Sequence, residues 1–197
     1  MNNAKIKRTT GIALLMALVV VLQFVGGMIP PVGGFSISLV LIPIVLGSAV
    51  YGPKAGALLG TTFGVIVTIN CITGADAGGA MVFQANPLLC ILVVLGKGIL
   101  AGFAAGFVYK LFKHWNGYVA MALAAIVCPV LNTGTFVLCM LTFFREVLAA
   151  WATPFGGDVI VYIFSGLLVF NFVPELIINV VFSPFGQRIV HTLKKKN

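Results

Sequence analysis

The sequence has few charged residues. Lys, Arg, Asp and Glu together make up only 8% of the 197 residues, whereas a typical soluble domain carries about 25% of them. Hydrophobic residues make up 60% of the chain, so there are too few charges to cover the surface of a soluble protein. The composition therefore predicts a protein with several membrane-spanning segments. It excludes soluble enzymes, nucleic-acid-binding proteins and secreted disulfide-rich domains.

Motifs of catalysis and metal binding are also absent. The nucleotide-binding P-loop does not occur, because Gly96-Lys97-Gly98 lacks the spacing of that motif. The sequence contains no H-E-x-x-H or G-x-S-x-G motif and no cluster of carboxylates. The four cysteines have no C-x-x-C spacing and the two histidines lie far apart. We therefore expect no enzymatic activity, no metal and no cofactor, and we expect the cysteines to be buried as small apolar residues.

Six apolar segments predict an all-α protein. A membrane-spanning helix needs roughly 20 mainly apolar residues, and all segments except the second approach this length. Two of them begin with proline, which is tolerated at the first position of a helix. We expect a single domain over residues 1–197, a six-helix transmembrane bundle with helices at Thr10–Ile29, Ile37–Tyr51, Pro53–Thr73, Pro87–Phe112, Tyr118–Phe144 and Val159–Phe182.

The basic residues predict the orientation of this bundle. An even number of spans places both termini on one side, and ten of the twelve Lys and Arg residues then lie on that side. Three of the four acidic residues lie in the opposite connections. Because basic residues flanking membrane helices remain in the cytoplasm, both termini are predicted to be cytoplasmic.

The connections on the external side are longer than the cytoplasmic ones. Residues 26–36, 74–86 and 145–158 are rich in Gly, Pro and polar residues, which is typical of flexible loops. Such loops either cover a binding site or simply connect helices in solvent. Their aromatic residues either close the mouth of a site or form an interfacial belt; they are Phe35, Phe83, Trp151 and Phe155.

Small residues recur at four-residue spacing in three segments. Such rows let the backbone of another helix approach closely. For the two glycine rows, Gly56/Gly60/Gly64 and Gly98/Gly102/Gly106, we expect packing within the bundle. The pair Ala13 and Ala17 in the first segment faces either the bundle or a partner protein.

Lys97 is the most informative polar residue. It lies about ten residues into the fourth segment, so it is ~15 Å deep at 1.5 Å per residue. A lysine at the centre of a membrane helix costs about 2.5–3.5 kcal/mol, and its ammonium needs a compensating partner. That partner is either Glu175, the acidic residue inside an apolar segment, or the negative charge of a substrate, which we favour.

Several neutral polar residues lie at a similar level in other segments. Each of them alone is more often a helix–helix hydrogen bond than a ligand contact. Together with Lys97 beneath the long connections, they predict a small-molecule pocket. The candidate substrate-binding residues are Lys97, Asn132, Thr133, Gln84, Asn86, Asn70 and Asn171.

Three stretches carry a resemblance to a known family. They are Lys7-Arg8 before Ala13-Leu-Leu-Met-Ala17, Leu41-Ile-Pro-Ile-Val-Leu-Gly47 followed by Tyr51-Gly-Pro-Lys-Ala-Gly56, and Pro129-Val-Leu-Asn-Thr-Gly134. With this size and number of helices, the chain resembles the substrate-binding S component of an energy-coupling factor (ECF) transporter, and the resemblance covers nearly the whole chain.

The resemblance implies a function and a set of partners. It implies a prokaryotic plasma-membrane subunit that binds a water-soluble vitamin from outside and delivers it by toppling in the bilayer, with the connections between helices 1–2 and 3–4 as gates. Ala13 and Ala17 would face the transmembrane coupling subunit, and two ABC-type ATPases would supply the energy. Pantothenate is the favoured substrate, with Lys97 binding its carboxylate and Asn132 and Gln84 holding its hydroxyl and amide groups. Folate, cobalamin and other vitamins or precursors stay open.

Two alternatives come from other classes of protein. A structural membrane subunit without a ligand predicts that Lys97 pairs with Glu175 and that the bundle encloses no cavity. A membrane enzyme would require a catalytic pair, which the sequence does not contain. No nucleic acid is expected as a partner, because the basic residues flank membrane segments.

Overall fold

A computed structural model of the chain describes residues 3–28 and 39–195. These residues form helices joined by short connections, without a β-strand. A π-helical segment, Tyr162–Phe172, joins two of the helices into one continuous rod. The helices are α1 (Asn3–Met28), α2 (Leu41–Tyr51), α3 (Pro53–Thr73), α4 (Ala77–Ala85), α5 (Pro87–Phe112), α6 (Gly117–Phe143), α7 (Arg145–Ala152), α8 (Val159–Val161) and α9 (Val173–Lys195).

The predicted all-α membrane architecture is confirmed. Among the described residues, five helical stretches are long and apolar enough to cross a membrane: α1, α3, α5, α6 and the continuous helix Val159–Leu193. The second predicted segment is the shorter apolar helix α2. The predicted start of that segment at Ile37 lies outside the described residues, as do Phe35 and residues 29–36 of the first external connection.

Helices α3 and α5 begin at the predicted residues and α6 begins one residue before the predicted Tyr118, each for a local reason. Pro53 follows Gly52, whose φ of +93° turns the chain sharply after α2. Asn86 precedes Pro87, and its Oδ1 accepts a hydrogen bond of 3.1 Å from the Leu89 amide. Asn116 caps α6 in the same manner. These side chains satisfy amide groups that have no partner within the first turn of a helix.

The first and last helices are longer than predicted. Helix α1 begins at Asn3 rather than Thr10, and Arg8 in its added part donates a hydrogen bond of 3.1 Å to the carbonyl oxygen of Tyr51. Helix α9 continues past Phe182 through Pro184. Proline cannot donate to the carbonyl four residues before it, but the Ser183 hydroxyl donates to that oxygen, of Val180, at 2.8 Å. The helix therefore continues without an unsatisfied carbonyl.

The two glycine rows hold α3 against α5. A Cβ atom on Gly60 would collide with the carbonyl oxygen of Gly98, and one on Gly56 would collide with that of Gly102. The two helices therefore touch backbone to backbone, which only glycine permits at these positions. The prediction that both glycine rows pack within the bundle is confirmed.

The outer faces of the long helices are apolar. The large side chains exposed along α5 are Leu92, Phe103, Phe107 and Leu111. Contiguous exposed apolar side chains of this kind are rare on soluble proteins. The opposite face of α5 is buried against α3 and α6. This division fits a helix with one face toward its neighbours and the other toward hydrocarbon.

Two connections that were predicted as flexible loops contain helices instead. Helix α4 lies within residues 74–86, and Asp76 caps it by accepting a hydrogen bond of 3.1 Å from the Gly79 amide. Helix α7 lies within residues 145–158 and buries Val147 and Leu148. The prediction overestimated the effect of glycine in the first connection and overlooked an amphipathic pattern in the second.

Candidate ligand-binding cavity

The end of the bundle that carries α4 and α7 contains a large cavity. Its volume is about 860 Å³, within the range of roughly 300–1,000 Å³ that is usual for small-molecule sites. Residues of α1, α3, α4, α5, α6, the π-helical segment and the first turn of α9 line it, together with α7 and the turn after it. The structural-subunit alternative does not predict such a cavity.

Lys97 of α5 provides a positive charge in the cavity wall. Its Nζ atom lies 4.6 Å from the centre of the Phe136 ring and 5.9 Å from that of Phe63. Aromatic faces attract cations at such distances, and the acidic residues Glu175 and Asp76 line the same cavity. The lysine is therefore accommodated inside the bundle, and its ammonium faces the cavity.

Glu175 contributes to the same cavity from the first turn of α9. Its side chain is 2% exposed, and its backbone carbonyl accepts a hydrogen bond of 2.8 Å from Nδ2 of Asn179. Lys97 and Glu175 thus line one cavity, which therefore carries both signs of charge in its wall.

Two asparagines present buried acceptor oxygens to the cavity. The Oδ1 atoms of Asn132 and Asn171 are buried and have no hydrogen-bond partner among the described residues, although both residues line the cavity. Asn132 lies on α6 one turn after Pro129, and only 5% of its surface is exposed. A buried acceptor without a donor costs about 1–3 kcal/mol, so these oxygens need a donor from a bound molecule or from water.

Aromatic residues surround the cavity near α7. The Trp151 ring stacks on Phe136 with 6.4 Å between ring centres, and it lies 6.4 Å from Tyr162. Its Nε1–H donates to the sulfur of Met81 on α4 at 3.4 Å. Phe155 contacts Tyr162 in turn. The aromatic group therefore connects α4, α6, α7 and the π-helical segment beside the cavity.

The structure brings together most of the residues singled out in the sequence. Five of them line the cavity: Lys97, Asn70, Asn132, Thr133 and Asn171. Gln84 and Asn86 are exposed and do not belong to the lining. The Asn86 side chain instead caps α5. Among the aromatic residues, Trp151 and Phe155 line the cavity, whereas Phe83 packs against the buried cluster nearby.

The structure also shows lining residues that the sequence reasoning missed. Gln23 of α1, Asp76 before α4 and Tyr162 of the π-helical segment all line the cavity. A signal for Gln23 was present, because it is the one polar side chain in the apolar stretch from Gly11 to Ile29. Asp76 and Tyr162 had no comparable signal: the position of Asp76 depends on the helical form of residues 74–86, and Tyr162 lies at the start of the π-helical segment, which the sequence did not predict.

Ala13 and Ala17 are exposed on α1. The sequence left open whether this pair packs inside the bundle or faces another protein. Both positions lie on the outside of the bundle, so packing inside it is excluded. The stretch of α1 that is long and apolar enough to cross a membrane is mostly exposed, with only 11% of its apolar window buried.

The comparisons with known proteins agree with this architecture. The sequence model of the family described as "ECF transporter, substrate-specific component" matches residues 7–185. A comparison with curated proteins gives no match. Because the family model covers most of the chain, the chain belongs to the family of substrate-specific components of ECF transporters.

Proposed function

We propose that this S component binds a small water-soluble vitamin with one carboxylate, and that pantothenate is its substrate. Family membership makes the chain a membrane subunit that works with ECF coupling and ATPase subunits on a small-molecule substrate. The choice of vitamin rests on one observation, the cavity of about 860 Å³ that combines Lys97 with buried asparagine acceptors.

Pantothenate matches the groups in the cavity wall. Its carboxylate binds the ammonium of Lys97, which is a charge-assisted interaction. Its hydroxyl and amide N–H groups donate to Oδ1 of Asn132 and Asn171. Its branched apolar part packs against aromatic side chains such as Phe136 and Trp151. The carboxylate and two of the donor groups of the substrate then have partners of the opposite hydrogen-bonding type.

Other vitamins fit the cavity less well. Folate carries two carboxylates, whereas the cation among the described lining residues is Lys97, and Glu175 and Asp76 would repel a second negative charge. Cobalamin is a far larger molecule that would fill or exceed a cavity of about 860 Å³. In a subunit without a ligand, two buried acceptors without donors would lower the stability of the fold and serve no function.

The proposal includes an orientation and a transport cycle. Both termini are cytoplasmic, the chain forms one domain in a prokaryotic plasma membrane, and the cavity opens to the outside between α4 and α7. Ala13 and Ala17, exposed on α1, face the coupling subunit. The loaded subunit reorients in the bilayer, and the two ATPases supply the energy for release.

A ligand panel with the purified chain tests the proposal. The chain alone is purified in detergent, and its thermal unfolding is followed with each of a set of vitamins. A ligand at 100 times its dissociation constant adds about 2.7 kcal/mol to the free energy of unfolding. We expect stabilisation by pantothenate and none by folate or cobalamin. A folded protein that is stabilised by another vitamin, or by none, contradicts the proposal.

A further inference from the structure

Two cysteines face each other across the α3–α5 contact, beside the cavity. Cys71 lies near the end of α3, and Cys90 lies in the first turn of α5. Both are free thiols, 2% and 1% exposed, and both line the cavity. Both also belong to one cluster of buried apolar residues.

The register of the two helices explains this contact. Gly64 of α3 packs against Val94 and Leu95 of α5. Cys71 lies seven residues after Gly64 and Cys90 four residues before Val94, so both lie on the faces that touch. Because the Cα–Cβ bond tilts toward the N-terminus of its own helix, the two side chains of this antiparallel pair point toward each other.

Helix α4 lies directly over this pair of thiols. A Cβ atom on Gly79 would collide with the sulfur of Cys71, so the glycine lets α4 rest on it. The segment 72–89, which contains α4, begins after one cysteine and ends before the other. A covalent bond between the two sulfurs would therefore fix both ends of the segment that covers one side of the cavity.

We propose that Cys71 and Cys90 form a reversible disulfide that restrains α4 beside the cavity. The oxidant is a small uncharged disulfide, such as hydroxyethyl disulfide (the oxidised form of 2-mercaptoethanol), that enters through the cavity. The Cys90 thiolate attacks one sulfur of the oxidant, forms a mixed disulfide and releases one thiol. The Cys71 thiolate then attacks the Cys90 sulfur and releases the second thiol. The protein loses two protons and two electrons, which the two released thiols carry.

The surroundings allow the sulfurs to reach bonding distance. A disulfide requires about 2.05 Å between the sulfurs, so two free thiols must move closer before they can bond. Cys71 lies two residues before the end of α3 and Cys90 three residues after the start of α5. The first and last turns of helices open more readily than helix centres, so the adjustment occurs where the backbone yields most easily.

Thiol mapping of the full chain tests this proposal without any vitamin. The reduced protein is purified in detergent, freed of reductant, incubated with hydroxyethyl disulfide and then alkylated under denaturing conditions. We expect two of the four cysteines to escape alkylation and digestion to yield a Cys71–Cys90 linked peptide that dithiothreitol removes. Complete alkylation, a mercaptoethanol adduct that persists at Cys90, or a link through Cys128 or Cys139 would overturn the proposal.

Matched variants separate this pair from the other thiols. Cys71→Ser and Cys90→Ser should each abolish the linked peptide, whereas Cys128→Ser should leave it unchanged, although Cys128 is also fully buried. The effect on the cavity rests on the proposed function: the oxidised protein should release pantothenate several-fold more slowly than the reduced protein. Equal release rates with the link in place would refute the restraint on α4. Absence of any pantothenate binding would instead count against the proposed function.

Discussion

The Nζ atom of Lys97 lies 4.6 Å from the centre of the Phe136 ring, and this ring stacks on Trp151 with 6.4 Å between ring centres. The charged part of the cavity is thereby linked to α7 through two aromatic side chains. A ligand that binds the ammonium must lie close to Phe136 and change the surroundings of the indole beyond it.

Trp151 should therefore report ligand binding by its fluorescence. Trp115→Phe leaves Trp151 as the remaining tryptophan, and its emission should change saturably as pantothenate is added. In the reciprocal variant, Trp151→Phe, the remaining Trp115 is 86% exposed in the turn between α5 and α6 and should not respond. A response from Trp115 alone would place the ligand outside this cavity.

Asn132→Leu should weaken binding without weakening the fold. The substitution removes an acceptor that has no donor among the described residues, so the free energy of unfolding should stay the same or rise. The ligand loses a hydrogen bond to a buried group, worth about 1–3 kcal/mol. We expect a roughly tenfold to hundredfold increase in the dissociation constant for pantothenate, measured by calorimetric titration.

Asn86→Ala is the matched control for Asn132→Leu, and Gln84→Ala accompanies it. Loss of the cap on α5 should lower the free energy of unfolding by about 1 kcal/mol, with the dissociation constant unchanged. Gln84 is exposed on α4, and its substitution should change neither quantity. If Asn86→Ala or Gln84→Ala weakened binding as much as Asn132→Leu, these residues would belong to the site as the sequence reasoning predicted.

Gly98→Ala should destabilise the protein, whereas Gly96→Ala should not. A Cβ atom at Gly98 would collide with the backbone of Gly60, but one at Gly96 would meet nothing within 4 Å. Overpacking at Gly98 should lower the free energy of unfolding by about 1–3 kcal/mol. Replacing glycine by alanine inside a helix, where nothing collides, raises it by up to about 1 kcal/mol. Thermal unfolding of both variants in detergent measures the difference. Equal melting temperatures would refute the close approach of α3 and α5.

Ala13→Trp and Ala17→Trp should stop transport and leave binding intact. Both alanines are exposed on α1, so a large side chain there blocks a partner without disturbing the cavity. Uptake is measured in cells that also produce the coupling subunit and ATPases, and binding is measured with the purified chain. Leu14→Trp, at an exposed position on a neighbouring face of α1, is the control and should transport normally. Loss of binding in the alanine variants would contradict this assignment.

The helices could be predicted from the sequence because they are local features. Long apolar stretches and the prolines at positions 53 and 87 define the ends of α3 and α5 without reference to the rest of the fold. Helices α4 and α7 were missed because their local signals are short: a cap at Asp76 before a glycine-rich stretch and eight residues of amphipathic pattern. Burial of Leu148 against the bundle, which stabilises α7, is a tertiary contact.

The candidate site was predicted in part, for a related reason. A lysine and asparagines in apolar segments are costly in a membrane, so Lys97 and Asn132 are conspicuous in the sequence. Gln84 and Asn86 lie near the ends of helices, where polar residues cost little and usually serve local roles. Which helix ends face a cavity depends on how the helices pack, which the sequence does not show. The position of Cys71 opposite Cys90 depends on the packing of α3 and α5 in the same way.

The most direct test of the central claim compares pantothenate with pantothenol, which carries a CH₂OH group in place of the carboxylate. Both are titrated into the purified wild-type chain and into Lys97→Met, with thermal unfolding as the check on folding. Removing one partner of a buried charge pair costs about 2–5 kcal/mol, which corresponds to roughly 30-fold or more in affinity. We predict that the wild-type chain prefers pantothenate by at least this factor and that a folded Lys97→Met loses the preference. Equal binding of the two compounds by the wild-type chain would contradict the claim, even if the variant fails to fold.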